Sequence, residues 1–308
     1  MKLADASIPQ IEELLRSDGL TLDFGYVKAR VRSRVRPLAS VLQIVYGAFP
    51  LEAATGFCDL TVTLLPQPGL RRWLRPQIQF YLEGETPFEA FDAATHLPML
   101  EWGMNWGIAQ RFTDMLLLHA GVVERDGRAI VLPAMPGSGK STLTAGLTQR
   151  GYRLLSDEFG AVEGDSGQLR PVLRPIALKN ESIEVIRRFS ADAVLGPAFP
   201  KTRKGTVAHM APDAYSVALR RTAAQARLIV FPQYVAGART QLEAVPKSRA
   251  LARLSVNAFN YELRGPAGYK AVAQLIDQCD CYTLHYGDME DAIATLGHLL
   301  QQDERHAA

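Results

Sequence analysis

The chain has 308 residues, 47% hydrophobic and 21% charged, with three cysteines. That length suits one large domain or two smaller ones, and the composition is that of an ordinary globular protein. The net charge is +2, with 11 basic and 12 acidic residues in 1–112 and 23 and 20 in the rest, which argues against a nucleic-acid partner.

No apolar run approaches the roughly 20 residues of a membrane-spanning helix, so no membrane partner is expected. The opening "MKLADASIPQIEELL" lacks the apolar core and cleavage-like site of a secretory signal. Cys58, Cys279 and Cys281 make no disulfide framework and suit a reducing interior, so the expected location is cytoplasmic.

The first element is an amphipathic helix with Ile8, Ile11, Leu14 and Leu15 on one face. Residues 26–95 then read as β-rich. "YVKARVRSRVRPL" alternates strictly and sets Lys28, Arg30, Arg32, Arg34 and Arg36 on one side of a strand. Such a row suits either a solvated edge strand, which like charges protect from pairing, or a dock for an acidic partner; the edge strand is the plainer reading. "FCDLTVTLLP" and "RPQIQFYLEG" are two more strands around the turn-rich "QPGLRRWL", and "HLPMLEWGMNWGIAQRF" is a helix with core-type Met, Trp and Ile spacing. A domain boundary near residue 112 follows, giving a β-rich α+β domain over 1–112 and an α/β domain over 113–308.

From 113 the pattern changes. "DMLLLHAGVVERDGRAIVLPA" is a hairpin turning at Asp126-Gly127. If those two residues form the loop, paired positions sum to 253, and His119 stands opposite Ala134. "SGKSTLTAGLTQRG" is a helix stopped by Gly151, and "YRLLS" a buried strand running into Asp157-Glu158. A helix over 247–263, another from Pro266, the strand "CYTLHY" and a last helix after Asp288 complete the chain. Cys279 and Cys281 read as core residues, because zinc needs four ligands at tighter spacing.

"AMPGSGKST" carries the chemistry. Glycines let main-chain N–H groups converge on phosphate oxygens at a helix N-terminus, as in a Walker A loop. The nucleotide-binding set is Pro136, Gly137, Ser138, Gly139, Lys140, Ser141 and Thr142. Lys140 reaches the β- and γ-phosphates, and the Ser141 hydroxyl coordinates Mg²⁺. Asp157 and Glu158 are carboxylates able to hold Mg²⁺ or to take a proton from an attacking hydroxyl. Both can serve one ion only if the strand ends there. The basic segment "FPKTRKGTVAH" offers Lys201, Arg203, Lys204 and His209 in a Pro/Gly-bounded loop, either solvated or closing over phosphates or substrate. Guanine-specificity, transporter and protein-kinase signatures are absent.

"LHAGVV", "PGSGKST" and "GYRLLSDE" together resemble the HPr kinase/phosphorylase family. "LLEWGMNW", "LLHAGVVERDGRA", "RPIALKN" and the "CDCY" ending resemble more closely its HPr-kinase-related A group, over most of the chain. The resemblance implies a P-loop kinase domain of the HPr kinase/PEP carboxykinase-like fold, with ATP and Mg²⁺ as cofactors. It carries phosphate and metal contacts onto Lys140 and Ser141, the activating acid onto Asp157, a neighbouring histidine onto His119 and a second metal acid onto Glu158. "RPIALKNESIEVI" stands where the full HPr kinase has "RGLGI", so the likeness does not name HPr as acceptor. The expected activity is transfer of the γ-phosphate to a hydroxyl, that of a serine or threonine on a protein or peptide. A metabolite kinase and a nucleotide-binding regulator with little turnover stay open as alternatives, as does a homo-oligomeric state.

Overall fold

A computed structural model describes residues 1–69, 74–135, 137–164 and 166–307, with side chains up to 302. Much of the expected turn "QPGLRRWL" thus lies outside the described residues.

Helix α1 (Ile8–Arg16) starts from a capping box in which the Ser7 N–H donates to Gln10 Oε1 at 2.8 Å, and it buries Ile11 and Leu15. Strands β1 (Leu20–Asp23) and β2 (Lys28–Ser33) follow, then α2 (Pro37–Val45), β3 (Leu60–Pro66), β4 (Gln77–Leu82), β5 (Phe91–Asp92) and α3 (His96–Arg111). The hairpin β6 (Leu116–Arg125) and β7 (Arg128–Pro133) leads to α4 (Lys140–Thr148), β8 (Arg153–Ser156), β9 (Phe159–Val162), β10 (Gln168–Arg170), β11 (Ile176–Lys179) and α5 (Glu181–Phe189). A second hairpin, β12 (Phe199–Thr202) and β13 (Gly205–Met210), precedes α6 (Ala214–Ala218), β14 (Ala224–Tyr234) and β15 (Gln241–Ala244). The chain ends with α7 (Lys247–Val256), α8 (Tyr261–Arg264), α9 (Pro266–Asp277), β16 (Asp280–Tyr286) and α10 (Met289–Ala307). The architecture is mixed α/β, and no helix among the described residues is long and apolar enough to cross a membrane.

Two compact units form. The first takes Met1–Arg111, Arg174–Glu184 and Ala193–Ala218, and the second takes Phe112–Leu173, Val185–Asp192 and Leu219–Ala308. A single boundary near 112 therefore leaves out the return of 174–184 and 193–218 to the first unit. Chemistry explains the return. Arg174 is buried, donating to the Glu101 carbonyl at 2.7 Å, to the Glu101 carboxylate and to Asn105 Oδ1, while the Tyr46 hydroxyl donates to Glu101 Oε1 at 2.7 Å. A guanidinium this deep needs such partners, and Glu101 on α3 supplies them.

In the first unit β1 to β5 form one sheet in chain order, and β11-β13-β12 another. Val31, Val62, Leu64 and Phe80 are fully buried, and α3 lies so close that a Cβ on Gly103 would enter the Phe80 ring. The Met and Ile residues of α3 are core as expected, whereas Trp102 is 38% exposed and stacks on Phe88 at 4.3 Å. The basic row of β2 needs correction: β2 lies between β1 and β3, so it is not an edge strand. The segment 199–209 is likewise a β-hairpin, not an open loop, and its His209 is buried.

In the second unit the sheet runs β10-β9-β6-β7-β14-β16-β15, with β8 also on β6 and β10 also on β14. Strands β7, β14 and β16 are mutually parallel. Leu118, Val131, Ile229, Leu254 and Leu275 share its core. All three cysteines are free thiols; Cys279 and Cys281 are buried, and burial pushes the Cys281 thiol up to about 11. The helix expected over 247–263 divides into α7 and α8, because residues 257–260 leave helical geometry to bond β6.

Burial, the largest cause, pushes His209 down to about 4, and its Nδ1 has no partner among the described residues. Unfolded, the ring titrates near 6.5. As pH falls below about 6.5, the unfolded state takes the proton first, so this stabilisation is lost down to about pH 4. Urea unfolding between pH 7 and 4 should show the loss, and His209→Gln should flatten it by up to about 1.4 kcal/mol per pH unit. An unchanged slope in the variant would place the sensitivity elsewhere.

Candidate functional site

The site forms around β6. Its register with β7 pairs Ala120 with Pro133 and Arg125 with Arg128. The turn is as expected, with Asp126 and Gly127 both left-handed at φ 55° and 79°. His119 thus stands one position beyond the last pair, level with Ala134.

After Pro133 the chain leaves the sheet, and residues 257–260 take the vacated edge of β6. The His119 N–H donates to the Asn257 carbonyl and the Phe259 N–H to the Leu117 carbonyl, each at 2.8 Å. Asn257 Nδ2 donates to the His119 carbonyl at 3.0 Å. Asn260, 1% exposed, accepts the Leu117 N–H at 3.0 Å and donates to the Met115 carbonyl at 2.8 Å.

The other edge changes at the same level. Strands β8 and β9 run in line, both antiparallel to β6, with a register shift between Val122 and Val123. That shift precedes Ser156; Asp157 and Glu158 fill the gap between the end of β8 and the start of β9, where the Glu158 carbonyl accepts the Ala120 N–H at 3.3 Å. The Ser156 hydroxyl accepts the N–H groups of Glu158 at 3.2 Å and Phe159 at 2.9 Å, which turns the chain tightly there.

The glycine loop faces this break. Gly137 and Gly139 have φ of 89° and 88°, and Gly139 precedes α4 without any side-chain cap. A Cβ on Gly139 would stand 2.6 Å from Tyr286 Oη and 3.0 Å from Tyr234 Cβ. The Tyr234 N–H donates to the Ser138 carbonyl at 3.1 Å, and Tyr286 Oη to the Gly139 carbonyl at 3.3 Å. The loop therefore rests on the carboxyl ends of β14 and β16, the end of a parallel sheet where ligands gather. Burial pushes the Tyr286 hydroxyl up, which keeps it a donor. Ser138 Oγ is buried with no partner among the described residues.

Lys140 is 8% exposed, and its Nζ donates to Asp157 Oδ1 at 3.0 Å and to the Asp157 carbonyl. His119 Nε2 lies 3.7 Å from Glu158 Oε1. The two adjacent acids thus have different neighbours: Asp157 meets the lysine and Glu158 the histidine. Ser141 and Thr142 are half-buried in the first turn of α4. Pro136 lies outside the described residues. Lys201, Arg203 and Lys204 belong to the β12–β13 hairpin of the first unit, whereas the loop belongs to the second. No group of three or more metal-ligating His, Cys, Asp or Glu residues occurs among the described residues.

Main-chain N–H groups at a glycine-led helix start, together with one ammonium, can hold an oxyanion. Several supporting residues escaped the sequence reading. Asn257 and Asn260 act through backbone contacts that carry no motif, and Tyr234 and Tyr286 resemble ordinary strand-end aromatics. Gly121 did leave a signal, a glycine inside a strand. No protein-family model and no curated protein sequence matches the chain.

Gly121 sets how closely α4 can lie on β6, since a Cβ there would overlap Thr144 Oγ1. Gly121→Ala should cost about 1–3 kcal/mol in urea unfolding by displacing α4. Adding Thr144→Ala should restore much of that loss. A Gly121→Ala variant as stable as the parent would refute the close contact.

Proposed function

We propose that this chain is a P-loop phosphotransferase of the HPr-kinase type, which binds ATP and Mg²⁺ and moves the γ-phosphoryl group to a serine or threonine hydroxyl on a protein or peptide. The observation that carries the proposal is the buried Lys140–Asp157 pair beside an uncapped helix start. The orphaned Ser138 hydroxyl is a second sign that the loop has room for a polar ligand. The resemblance of "LHAGVV", "PGSGKST" and "LLSDE" to that family supports the same reading.

In this reading Lys140 leaves Asp157 for the phosphate oxygens, and Asp157 becomes free for the acceptor. Its carboxylate takes the hydroxyl proton as the acceptor oxygen bonds to the γ-phosphorus and the bond to the β–γ bridging oxygen breaks, releasing ADP. Ser141 Oγ, Asp157 and Glu158 are hard oxygen donors that suit Mg²⁺, which keeps few protein ligands and offsets phosphate charge when bound. His119 beside Glu158 would orient that carboxylate.

Two variants test the reading. Lys140→Ala should abolish both nucleotide binding, read by thermal shift with ATP and Mg²⁺, and label transfer from ATP into lysate protein. Binding that survives Lys140→Ala would remove the phosphate-loop assignment. Asp157→Asn should keep nucleotide binding while transfer falls by about 10²-fold or more. If transfer persists in that variant, another residue is the base. Label found in a small metabolite, with none in protein, would overturn the acceptor.

A further inference from the structure

The arginine row of the first unit is the feature that the proposed function leaves unused. Arg30 and Arg32 project from one face of β2 and Arg34 continues the alternation just past its end, while Ala29, Val31, Ser33 and, beyond the strand, Val35 are buried. Because β2 is flanked by β1 and β3, protection of a sheet edge does not account for the row. The cross-strand positions make it more unusual. Arg30 stands between Thr21 and Thr61, and Arg32 opposite Thr63, where acids would relieve like-charge repulsion.

Among the described residues none of the three arginines has a carboxylate partner. Arg30 donates to the Gly56 carbonyl at 3.1 Å, and Arg32 to the Asp18 carbonyl at 3.4 Å. Those contacts tether the guanidinium groups to neutral carbonyls without neutralising their charge. Arg30 Nε is also buried, with no partner among the described residues. Beside Gly56 stands Phe57, an aromatic residue 84% exposed.

We propose that this face docks an acidic protein segment in extended conformation. Alternate residues on a strand stand roughly 7 Å apart, a spacing shared by alternate side chains of an extended peptide. Arginine pairs with carboxylates through two parallel hydrogen bonds, and the short Thr21 and Thr61 beside Arg30 and Thr63 beside Arg32 leave room for it. Nucleic acid fits less well: sheet faces that bind single strands carry aromatic stacking platforms across adjacent strands. Here Arg30 is flanked by Thr21 and Thr61 and Arg32 by Thr63, so neither has an aromatic neighbour on β1 or β3; Tyr81 follows one strand further, on β4. The surface belongs to the first unit and does not depend on the phosphate loop.

The test uses the full chain and a fluorescent octapeptide of alternating glutamate and threonine, followed by anisotropy at low salt. The double variant Arg32→Gln/Arg34→Gln should weaken binding by about tenfold, since each exposed charge contributes modestly. Lys201→Gln/Lys204→Gln and Lys140→Ala should leave it within about twofold. Equal losses in the Lys201/Lys204 variant would mean attraction by overall charge only, and the proposal would fail. It would fail too if the parent did not bind the peptide, or if a short oligothymidylate bound more tightly and displaced it. Circular dichroism of the Arg32/Arg34 variant separates lost binding from lost folding.

Discussion

Backbone hydrogen bonding along β6 is the constraint on which the site depends. Every buried N–H and carbonyl of that strand needs a partner, and an orphaned group costs about 1–3 kcal/mol. When β7 turns away at Pro133 to form the glycine loop, Leu117 and His119 lose a neighbouring strand. Asn257, Phe259 and Asn260 replace it. On the opposite edge β8 ends at Ser156 and β9 starts at Phe159, and Asp157 and Glu158 emerge in that gap. Loop, carboxylates and histidine therefore meet at one level of one strand. A change that displaced 257–260 would reach His119 directly through its own backbone.

The electrostatics follow from that placement. Lys140 is held almost out of water, where an unpaired ammonium would be costly, and Asp157 is its partner. The helix behind it begins without a side-chain cap, which ordinarily forfeits about 1 kcal/mol. A polyphosphate could answer both conditions, supplying negative charge to the ammonium and acceptors to the helix N–H groups. Gly139 makes the arrangement possible by letting Tyr286 approach the loop. Any larger residue would lift the loop from the strand ends that support it.

The sequence was most legible where local geometry decides. The Asp126-Gly127 turn set the register of β6 and β7, and that register alone placed His119 beside the loop. Alternation likewise identified the buried and exposed faces of β2. Its position in the sheet was not legible, because strand order depends on pairings between distant residues. The same limit hid the return of 174–184 to the first unit, which follows from Arg174 finding Glu101 across 73 positions. It also hid the break after α7, since nothing local in "VNAFNYE" forbids a helix as strongly as β6 demands bonds. The basic segment 199–209 was legible as charge but not as a hairpin, and its last histidine is a core residue.

Bulk charge proved a poor guide to surface chemistry for a related reason. Residues 1–112 hold nearly equal numbers of acids and bases, yet that balance says nothing about which face each occupies. Arg174 and Arg32 show the contrast within one unit. Arg174 is buried and surrounded by a carboxylate, a carbonyl and an amide oxygen, so its charge is satisfied within the protein. Arg32 is exposed and meets one backbone carbonyl. A folded chain that can recruit Glu101 for one guanidinium could also have evolved acids at positions 61 and 63 for the others. Threonine at both positions leaves the charge of the row available to a partner, and register rather than composition is what makes that visible.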